Sequence, residues 1–134
     1  MSLFKHQHQF SDIVQMEDIT SIIKKDLKMT NVQEGIAVIY TPHTTAGITI
    51  NENADPDVIT DMIGGFERAF PTNHSEYLHF EGNSHAHMKS TIFKASQTLI
   101  ISQGEIILGT WQSVYLCEFD GPRLRTFYVK IIEG

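Results

Sequence analysis

The sequence predicts a single α+β domain with a largely antiparallel sheet. Its 134 residues fall within the usual size of one domain and are enough to bury an apolar core. Apolar patterns of the strand type dominate the C-terminal half, whereas helical patterns lie mainly in the N-terminal half. The regular strand–helix–strand alternation of parallel α/β proteins is missing. No linker, internal repeat or low-complexity tract divides the chain, so we treat residues 1–134 as one domain.

The first two predicted elements are a strand and a helix. Residues 3–10 alternate polar and bulky side chains with the period of two that is typical of a strand. Lysines gather near the end of residues 16–28, where the helix dipole favours cations. The same segment places four apolar side chains on one helical stripe: Ile19, Ile22, Ile23 and Leu27.

Two strands and a second helix follow. The apolar run of residues 36–41 comes directly after Gly35 and predicts a buried strand, and residues 46–51 predict its continuation or its partner. Asp55 is placed as the N-cap of a helix, with Pro56 at the first helical position. Apolar residues at helical spacing follow them.

The C-terminal half is predicted to be rich in strands. Residues 71–84 lack a periodic apolar pattern and indicate an extended loop, and residues 86–94 suit a short helix. Four apolar runs separated by turn sequences then predict strands at residues 98–102, 106–111, 113–119 and 124–132.

Composition limits the classes of partner. Ten basic and 16 acidic residues give a formal net charge of −6, which disfavours nucleic-acid binding. An anionic ligand would therefore need a local positive patch or a metal ion.

The single Cys117 cannot form an internal disulfide, and no apolar run approaches the roughly 20 residues of a membrane span. The N-terminal residues also lack the apolar core of a signal peptide. We expect a cytoplasmic protein with no membrane partner.

Histidines are the most informative chemical signal in the sequence. Neutral imidazole is a good zinc ligand, and three protein ligands with one open position are the usual catalytic arrangement. The alternative is that histidines cap backbone groups or face solvent, as we expect for His6 and His8. The candidates for a metal site lie beside other polar groups where strand ends or loops are predicted: His43, His79, His85 and His87.

The conformation around His85 decides whether it joins such a site. In an extended backbone His85 and His87 share one face, whereas in a helix they point about 200° apart. Both can bind one metal only if the segment is extended or turning. The sequence leaves both conformations open.

Polar side chains also gather after the predicted strand at residues 46–51. Asn51 is explained by turn formation and Asp55 by helix capping, but a turn gains little from Glu52. Glu52 is therefore a candidate general base, a magnesium ligand or an exposed charge.

Two further stretches carry candidate binding groups. Thr44 and Thr45 offer hydroxyl groups near His43, although threonine also suits strands. Trp111 and Gln112 suit a pocket for a flat ring, in which the indole stacks and the amide orients. A core position for Trp111 is the alternative.

Two arginines lie at the end of the turn sequence of residues 120–123 and just beyond it. Arg123 and Arg125 are separated by one residue on a predicted strand and so face the same side. Such a pair can hold a phosphate group or face solvent.

Three blocks of the sequence resemble the signature blocks of the YjbQ-like family, which is also catalogued as the secondary thiamine-phosphate synthase enzyme family. They are TPHTTAGITINENAD, YLHFEGNSHAHMKS and LGTWQSVYLCEFDGPRLR, and they cover nearly the whole chain in order. One departure is Lys94-Ala95-Ser96, where family members commonly carry Gly-Pro. The resemblance implies a compact α+β domain of two packed sheets, assembled as a homotrimer, with a histidine metal site and weak thiamine-phosphate synthase activity.

The resemblance also implies roles for individual residues. It implies His43, His79 and His87 as metal ligands, while the position of His85 is a histidine only in some members. The resemblance and the chemistry of the side chains together predict a binding site for a small phosphorylated or heteroaromatic ligand. The residues predicted to hold this ligand are Thr44, Thr45, Asn51, Asp55, Trp111 and Gln112.

Three functions remain open. A synthase joins an aminopyrimidine diphosphate to a thiazole phosphate with loss of pyrophosphate, and a metal ion, Lys89 and Arg123 would neutralise the leaving group. Three histidines favour zinc, although magnesium is the usual partner of a diphosphate. A zinc-dependent hydrolase with Glu52 as the base and a non-catalytic binding protein are the alternatives.

Overall fold

The computed structural model describes residues 2–134 and confirms the predicted α+β class. No helix within these residues is long and apolar enough to cross a membrane. In chain order the elements are β1 (Leu3–Gln9), β2 (Gln15–Asp18), α1 (Thr20–Thr30), β3 (Gly35–Tyr40), β4 (Ala46–Glu52), α2 (Pro56–Ala69), α3 (Ser84–Phe93), β5 (Ser96–Ser102), β6 (Glu105–Ile106), β7 (Gln112–Glu118) and β8 (Leu124–Glu133).

Two antiparallel sheets form the framework of the fold. The larger sheet has the strand order β1-β8-β3-β5-β6, and the smaller has the order β2-β7-β4. Helix α1 adds Ile23 and Leu27 to the core that the sheets share. Alternate side chains of both sheets point into this core, as the period of two requires: Ala37, Ile39, Val129 and Ile131 from the larger sheet, and Ile48, Val114 and Leu116 from the smaller.

The start of the first helix differs from the prediction. Local periodicity places residues 16–28 in one helix, but residues 15–18 form β2 and α1 begins only at Thr20. Met16 pairs with Cys117 across β2 and β7. The local apolar spacing gives no information about this long-range pairing. The pairing with β7 nevertheless determines that residues 15–18 form a strand.

Strand β4 is neither the continuation nor the neighbour of β3. In the larger sheet β3 lies between β8 and β5, whereas β4 pairs with β7 in the smaller sheet. The connection at residues 41–45 therefore passes from one sheet to the other, and it carries His43. The predicted strand at residues 106–111 is also reduced, because residues 107–111 form a loop after β6.

The remaining helices agree with the prediction. The Asp55 carboxylate accepts a hydrogen bond from the Asp57 N–H at 2.9 Å and caps α2, with Pro56 in the first turn. Residues 70–83 form a loop, and α3 follows it. This loop and α3 bring two of the predicted histidine ligands towards the connection between the sheets.

Candidate functional site

His43 completes the larger sheet at the point where β3 stops. Strand β3 ends at Tyr40, opposite Tyr128 of β8, so the backbone of Thr126 lies beyond its partner strand. Thr41 Oγ1 donates to the Thr126 carbonyl at 2.8 Å, and the Thr126 N–H donates to His43 Nε2 at 2.9 Å. These two side chains take the place of the missing strand, because backbone polar groups need partners.

The hydrogen bond from Thr126 determines which nitrogen of His43 carries a proton. A backbone N–H can only donate, so Nε2 is the unprotonated nitrogen and the neutral ring carries its hydrogen on Nδ1. Burial and then the charge of Arg125 lower the pKa of His43, and the charge of Glu118 opposes them. His43 is therefore a neutral ring whose Nδ1–H remains for a ligand.

A buried ion pair lies near His43. Arg125 and Glu118 are 3% and 0% exposed, and Arg125 Nε donates to the two carboxylate oxygens of Glu118 at 3.0 and 2.9 Å. Arg125 Nη2 contacts the same carboxylate and donates to the Thr45 carbonyl at 3.1 Å and to the Thr45 hydroxyl at 2.8 Å. The hydroxyl of Thr45, predicted to bind substrate, therefore holds Arg125 in place.

Asp120 organises the turn that precedes β8. Its carbonyl accepts from Arg123 Nε at 2.7 Å, and its carboxylate accepts from Arg123 Nη2 at 3.1 Å. The same carboxylate accepts from Asn83 Nδ2 at 2.8 Å. Asn83 Oδ1 is enclosed and has no hydrogen-bond donor within residues 2–134, which marks a place for a water molecule or for a donor group of a ligand.

His79 and His87 approach each other from the loop at residues 70–83 and from α3. Their ring centroids are 5.5 Å apart, and the ring planes are nearly perpendicular at 86°. Two imidazoles bound at about 2.0–2.1 Å to one tetrahedral zinc ion place their ring centres roughly 5 Å apart, so this pair suits a shared cation. Glu81 lies 3.8 Å from His79 Nε2 and adds a carboxylate beside the pair.

These groups line one open cleft of about 420 Å³. The three predicted histidine ligands line this cleft, together with Thr44, Thr45 and Arg123. Among residues 2–134, no three His, Cys, Asp or Glu side chains are close enough to hold a metal ion as they stand. The set of three histidine ligands therefore stays a prediction, and within it the ring separation of His79 and His87 suits one cation.

His85 and Lys89 belong to a separate, buried network. Because α3 is helical, His85 points away from His87, which is the second of the two predicted alternatives. His85 Nδ1 lies 2.8 Å from Lys89 Nζ, which donates to Glu67 Oε2 at 3.3 Å. Burial and then the charge of Lys89 lower the pKa of His85. Lys89 is 1% exposed and does not line the cleft, so the structure corrects the expectation that it contacts a diphosphate.

The polar cluster after β4 lies at the opposite end of that strand from His43. The seven residues of β4 span about 20 Å, so Glu52 cannot reach the cleft within one chain. Asn51 Oδ1 accepts the Glu52 N–H at 2.7 Å, and Asp55 is occupied as the helix cap. Within one chain, contrary to the expectation, these three residues therefore do not share the cleft with the histidines.

Trp111 and Gln112 lie at the same far end of β4. Gln112 Oε1 accepts the Gly109 N–H at 2.7 Å, and the Asn53 N–H donates to the Trp111 carbonyl at 2.9 Å. Trp111 is 65% exposed, so it is not a core residue, and neither it nor Gln112 lines the histidine cleft. The expected pocket for a flat ring does not form there within the single chain.

Glu81 and Asn83 are two cleft residues that sequence reasoning missed. Both lie in the stretch FEGNSHAH, close to the predicted ligands His79 and His87. Asn83 directly precedes α3, where asparagine is common as a helix cap, so no separate signal pointed to the cleft. In the structure its side chain does not cap the helix but binds Asp120, which is 37 residues away.

Comparisons with known proteins place the chain among relatives of nearly the same length. The family described as UPF0047 protein YjbQ-like matches residues 6–134. UPF0047 protein YugU of Bacillus subtilis is 54% identical over 118 residues, which are 88% of this chain and 89% of that protein. UPF0047 protein MJ1081 of Methanocaldococcus jannaschii is 52% identical over 130 residues, which are 97% of this chain and 94% of that protein.

Solved structures share the fold described above. The crystal structure of an uncharacterized conserved protein of the YjbQ/UPF0047 family from Clostridium acetobutylicum matches with a TM-score of 0.94 at 49% identity, over 96% of this chain and 99% of that one. A hypothetical protein from Aeropyrum pernix matches with a TM-score of 0.93 at 29% identity, over the full length of both chains. The chain therefore belongs to the YjbQ-like UPF0047 family.

Proposed function

We propose that the protein is a metal-dependent enzyme with weak thiamine-phosphate synthase-type activity, which joins an aminopyrimidine diphosphate to a thiazole phosphate. The supporting observation is one cleft that holds the His79–His87 pair together with Arg123 and Arg125. In a chain with a net charge of −6, this cleft concentrates cationic groups and metal-binding nitrogens in one place. Guanidinium N–H donors of this kind suit the oxygens of a phosphorylated ligand.

The proposed reaction depends on neutralising the departing diphosphate. The bond between the pyrimidine methylene carbon and the diphosphate oxygen breaks, and its electron pair leaves with pyrophosphate. The lone pair of the thiazole nitrogen forms the new C–N bond. The Arg123 side chain is 54% exposed in the cleft and offers N–H donors to the departing oxygens. This step transfers no proton to the protein, so it does not need Glu52.

The donor set favours zinc or a similar transition ion. Imidazole nitrogen suits zinc, whereas magnesium prefers oxygen ligands and would depend mainly on the diphosphate. When bound, the ion would supply positive charge at the leaving group. His79 and His87 would hold it, with the Glu81 carboxylate beside them. His43, the third member of the implied set, has its Nε2 already occupied by Thr126.

A zinc-dependent hydrolase is the second candidate function, and one observation favours it. Such an enzyme needs a carboxylate to accept the proton of the attacking water. Within one chain Glu52 is too far away, but Glu81 is in the cleft and lies 3.8 Å from His79 Nε2. A binding protein without turnover would use the same cleft.

The proposal includes assembly as a homotrimer, which exposed apolar side chains support. Leu78 and Phe80, in the loop before α3, are 96% and 92% exposed in the single chain. On the outer face of the larger sheet, Ile36 pairs with Ile100 and Ile132 in one row across three strands. Contiguous apolar surface of this kind is typical of interfaces. Light scattering should give three times the chain mass of 15.2 kDa, and a monomer would remove the trimer from the proposal.

Thiamine-phosphate formation and phosphoester hydrolysis should be measured on the same purified protein, with elemental analysis of its metal. We expect weak synthase activity that falls on chelation and returns with zinc. Arg123→Ala should lower it by about 10²-fold, because a donor to the departing oxygens is lost. Glu52→Gln is the matched control outside the cleft and should match wild type in both assays. Activity indifferent to chelation and to Arg123→Ala would exclude both enzymes and leave the binding protein.

A further inference from the structure

The candidate cleft has two chemically different sides. On the side of His79 and His87, the centroids of the two imidazole rings are 5.5 Å apart, a separation that suits a shared cation. The other side, which we call the donor side, lies at the end of β3 and the start of β8. There the side chains of His43, Arg123 and Arg125 present N–H donors. Lone pairs bind cations and N–H donors bind anions, so the two sides suit different parts of one ligand complex.

His43 belongs to the donor side because of its backbone partner. Its Nε2 accepts the Thr126 N–H at 2.9 Å, which leaves a hydrogen on Nδ1 in the neutral ring. A zinc ligand needs a free lone pair, and Nδ1–H has none. Turning the ring to present Nε2 to a metal would leave the Thr126 N–H without its acceptor, at the cost of an unsatisfied backbone donor.

The guanidinium of Arg125 is held so that its Nη1 donors remain available to a ligand. Its Nε and Nη2 are engaged by Glu118 and Thr45, and the residue is only 3% exposed. In the part of the chain that the structure describes, Nη1 makes no hydrogen bond, yet it is not among the fully enclosed atoms. Because the guanidinium is planar, the bonds on the other two nitrogens also set the direction of the Nη1 donors.

Arg123 also has a free Nη1 on the donor side of the cleft. Its Nε and Nη2 donate to Asp120, and its Nη1 has no acceptor among residues 2–134. Glu118 and Asp120 balance the charges of the two arginines, so the donors act through directed hydrogen bonds more than through net charge. Oxygens of a phosphoryl group accept several such bonds at once.

We propose that His43 Nδ1, Arg123 Nη1 and Arg125 Nη1 form a seat for phosphoryl oxygens of the ligand, and that His43 is not a metal ligand. The inference rests on the proposed function for its substrate class, a small diphosphate. In this proposal the two sides of the cleft bind different groups. His79 and His87 hold the cation, and the donor side holds the anion.

Inorganic pyrophosphate is the probe for the seat, titrated calorimetrically into protein freed of metal by chelation. His43→Gln keeps an acceptor for the Thr126 N–H and removes the Nδ1–H donor. Arg123→Met removes the second donor at an exposed position. Each should weaken pyrophosphate binding about tenfold or more, because a hydrogen bond to a charged group is lost. Lys5→Met, a cation lost from exposed β1, should leave the affinity at the wild-type value.

Zinc binding by the same variants gives the opposite pattern. His87→Ala should lose zinc and still bind pyrophosphate, whereas His43→Gln and Arg123→Met should keep zinc. Loss of zinc from His43→Gln to the same extent as from His79→Ala would overturn the proposal. Equal pyrophosphate affinity in Arg123→Met and Lys5→Met would also overturn it, even if His43→Gln fails to fold. Neither titration uses turnover, so a seat that binds pyrophosphate in a protein without synthase activity would disprove only the proposed reaction.

Discussion

Replacing Glu118 by alanine is expected to lower the free energy of unfolding by about 3–5 kcal/mol, because it leaves the buried charge of Arg125 without a partner. Glu118 is fully buried and accepts from Arg125 Nε and from the Asp120 N–H at 3.0 Å. Urea denaturation followed by circular dichroism, at one fixed protein concentration, measures the change.

Two controls separate the ion pair from a general effect of substitution. Glu105→Ala removes an exposed carboxylate and should change the free energy of unfolding by less than about 0.5 kcal/mol. The double variant Glu118→Leu with Arg125→Met removes both charges and should recover most of the lost stability, since apolar replacement of a buried pair is often nearly neutral. If Glu118→Ala and Glu105→Ala had equal free energies of unfolding, the claim that Glu118 and Arg125 form a buried ion pair would be wrong.

Lys89→Ala is expected to cost about 2–5 kcal/mol of unfolding free energy, because it removes a fully buried side chain and leaves a cavity. Lys89 is 1% exposed, and its ammonium group contacts His85 Nδ1 and Glu67 Oε2. A lysine that only neutralised a leaving group in an open cleft would cost little stability when removed. The measurement therefore distinguishes the structural position from the catalytic role that the sequence analysis predicted.

Lys89→Met provides the matched comparison for this position. Methionine fills the space of the lysine stem but cannot donate to His85, so its cost should be limited to about 1–3 kcal/mol for the unsatisfied buried nitrogen. Lys5→Ala, at an exposed strand position, should be near neutral. Equal stability of Lys89→Ala and Lys5→Ala would show that Lys89 is not buried in solution.

The fold could be predicted from the sequence where the information is local. Alternation identifies β1, apolar runs identify β3 and β8, and Asp55 before Pro56 identifies the start of α2. Strand β2 could not be identified in this way, because Met16 continues a helical apolar pattern and becomes a strand residue only through its pairing with Cys117. Likewise, no local feature shows that β3 and β4 enter different sheets.

The candidate site could be predicted only in part, for reasons of geometry. His43, His79 and His87 line one cleft, and their role as metal ligands stays a prediction. Glu52 is nine residues from His43 in the sequence, but β4 separates them by about 20 Å, because an extended strand rises about 3.3 Å per residue. Asn83 gives no signal of its own, since its role depends on Asp120 from a distant turn.

Anomalous diffraction at the zinc absorption edge, from crystals soaked with zinc and pyrophosphate, tests the account of the cleft most directly. We predict one anomalous peak bonded to His79 and His87, with pyrophosphate oxygens within hydrogen-bond distance of His43 Nδ1 and of Nη1 of Arg123 and Arg125. The Thr126 N–H should still bond to His43 Nε2. A zinc ion bonded to His43, or no zinc in the cleft at all, would contradict the account.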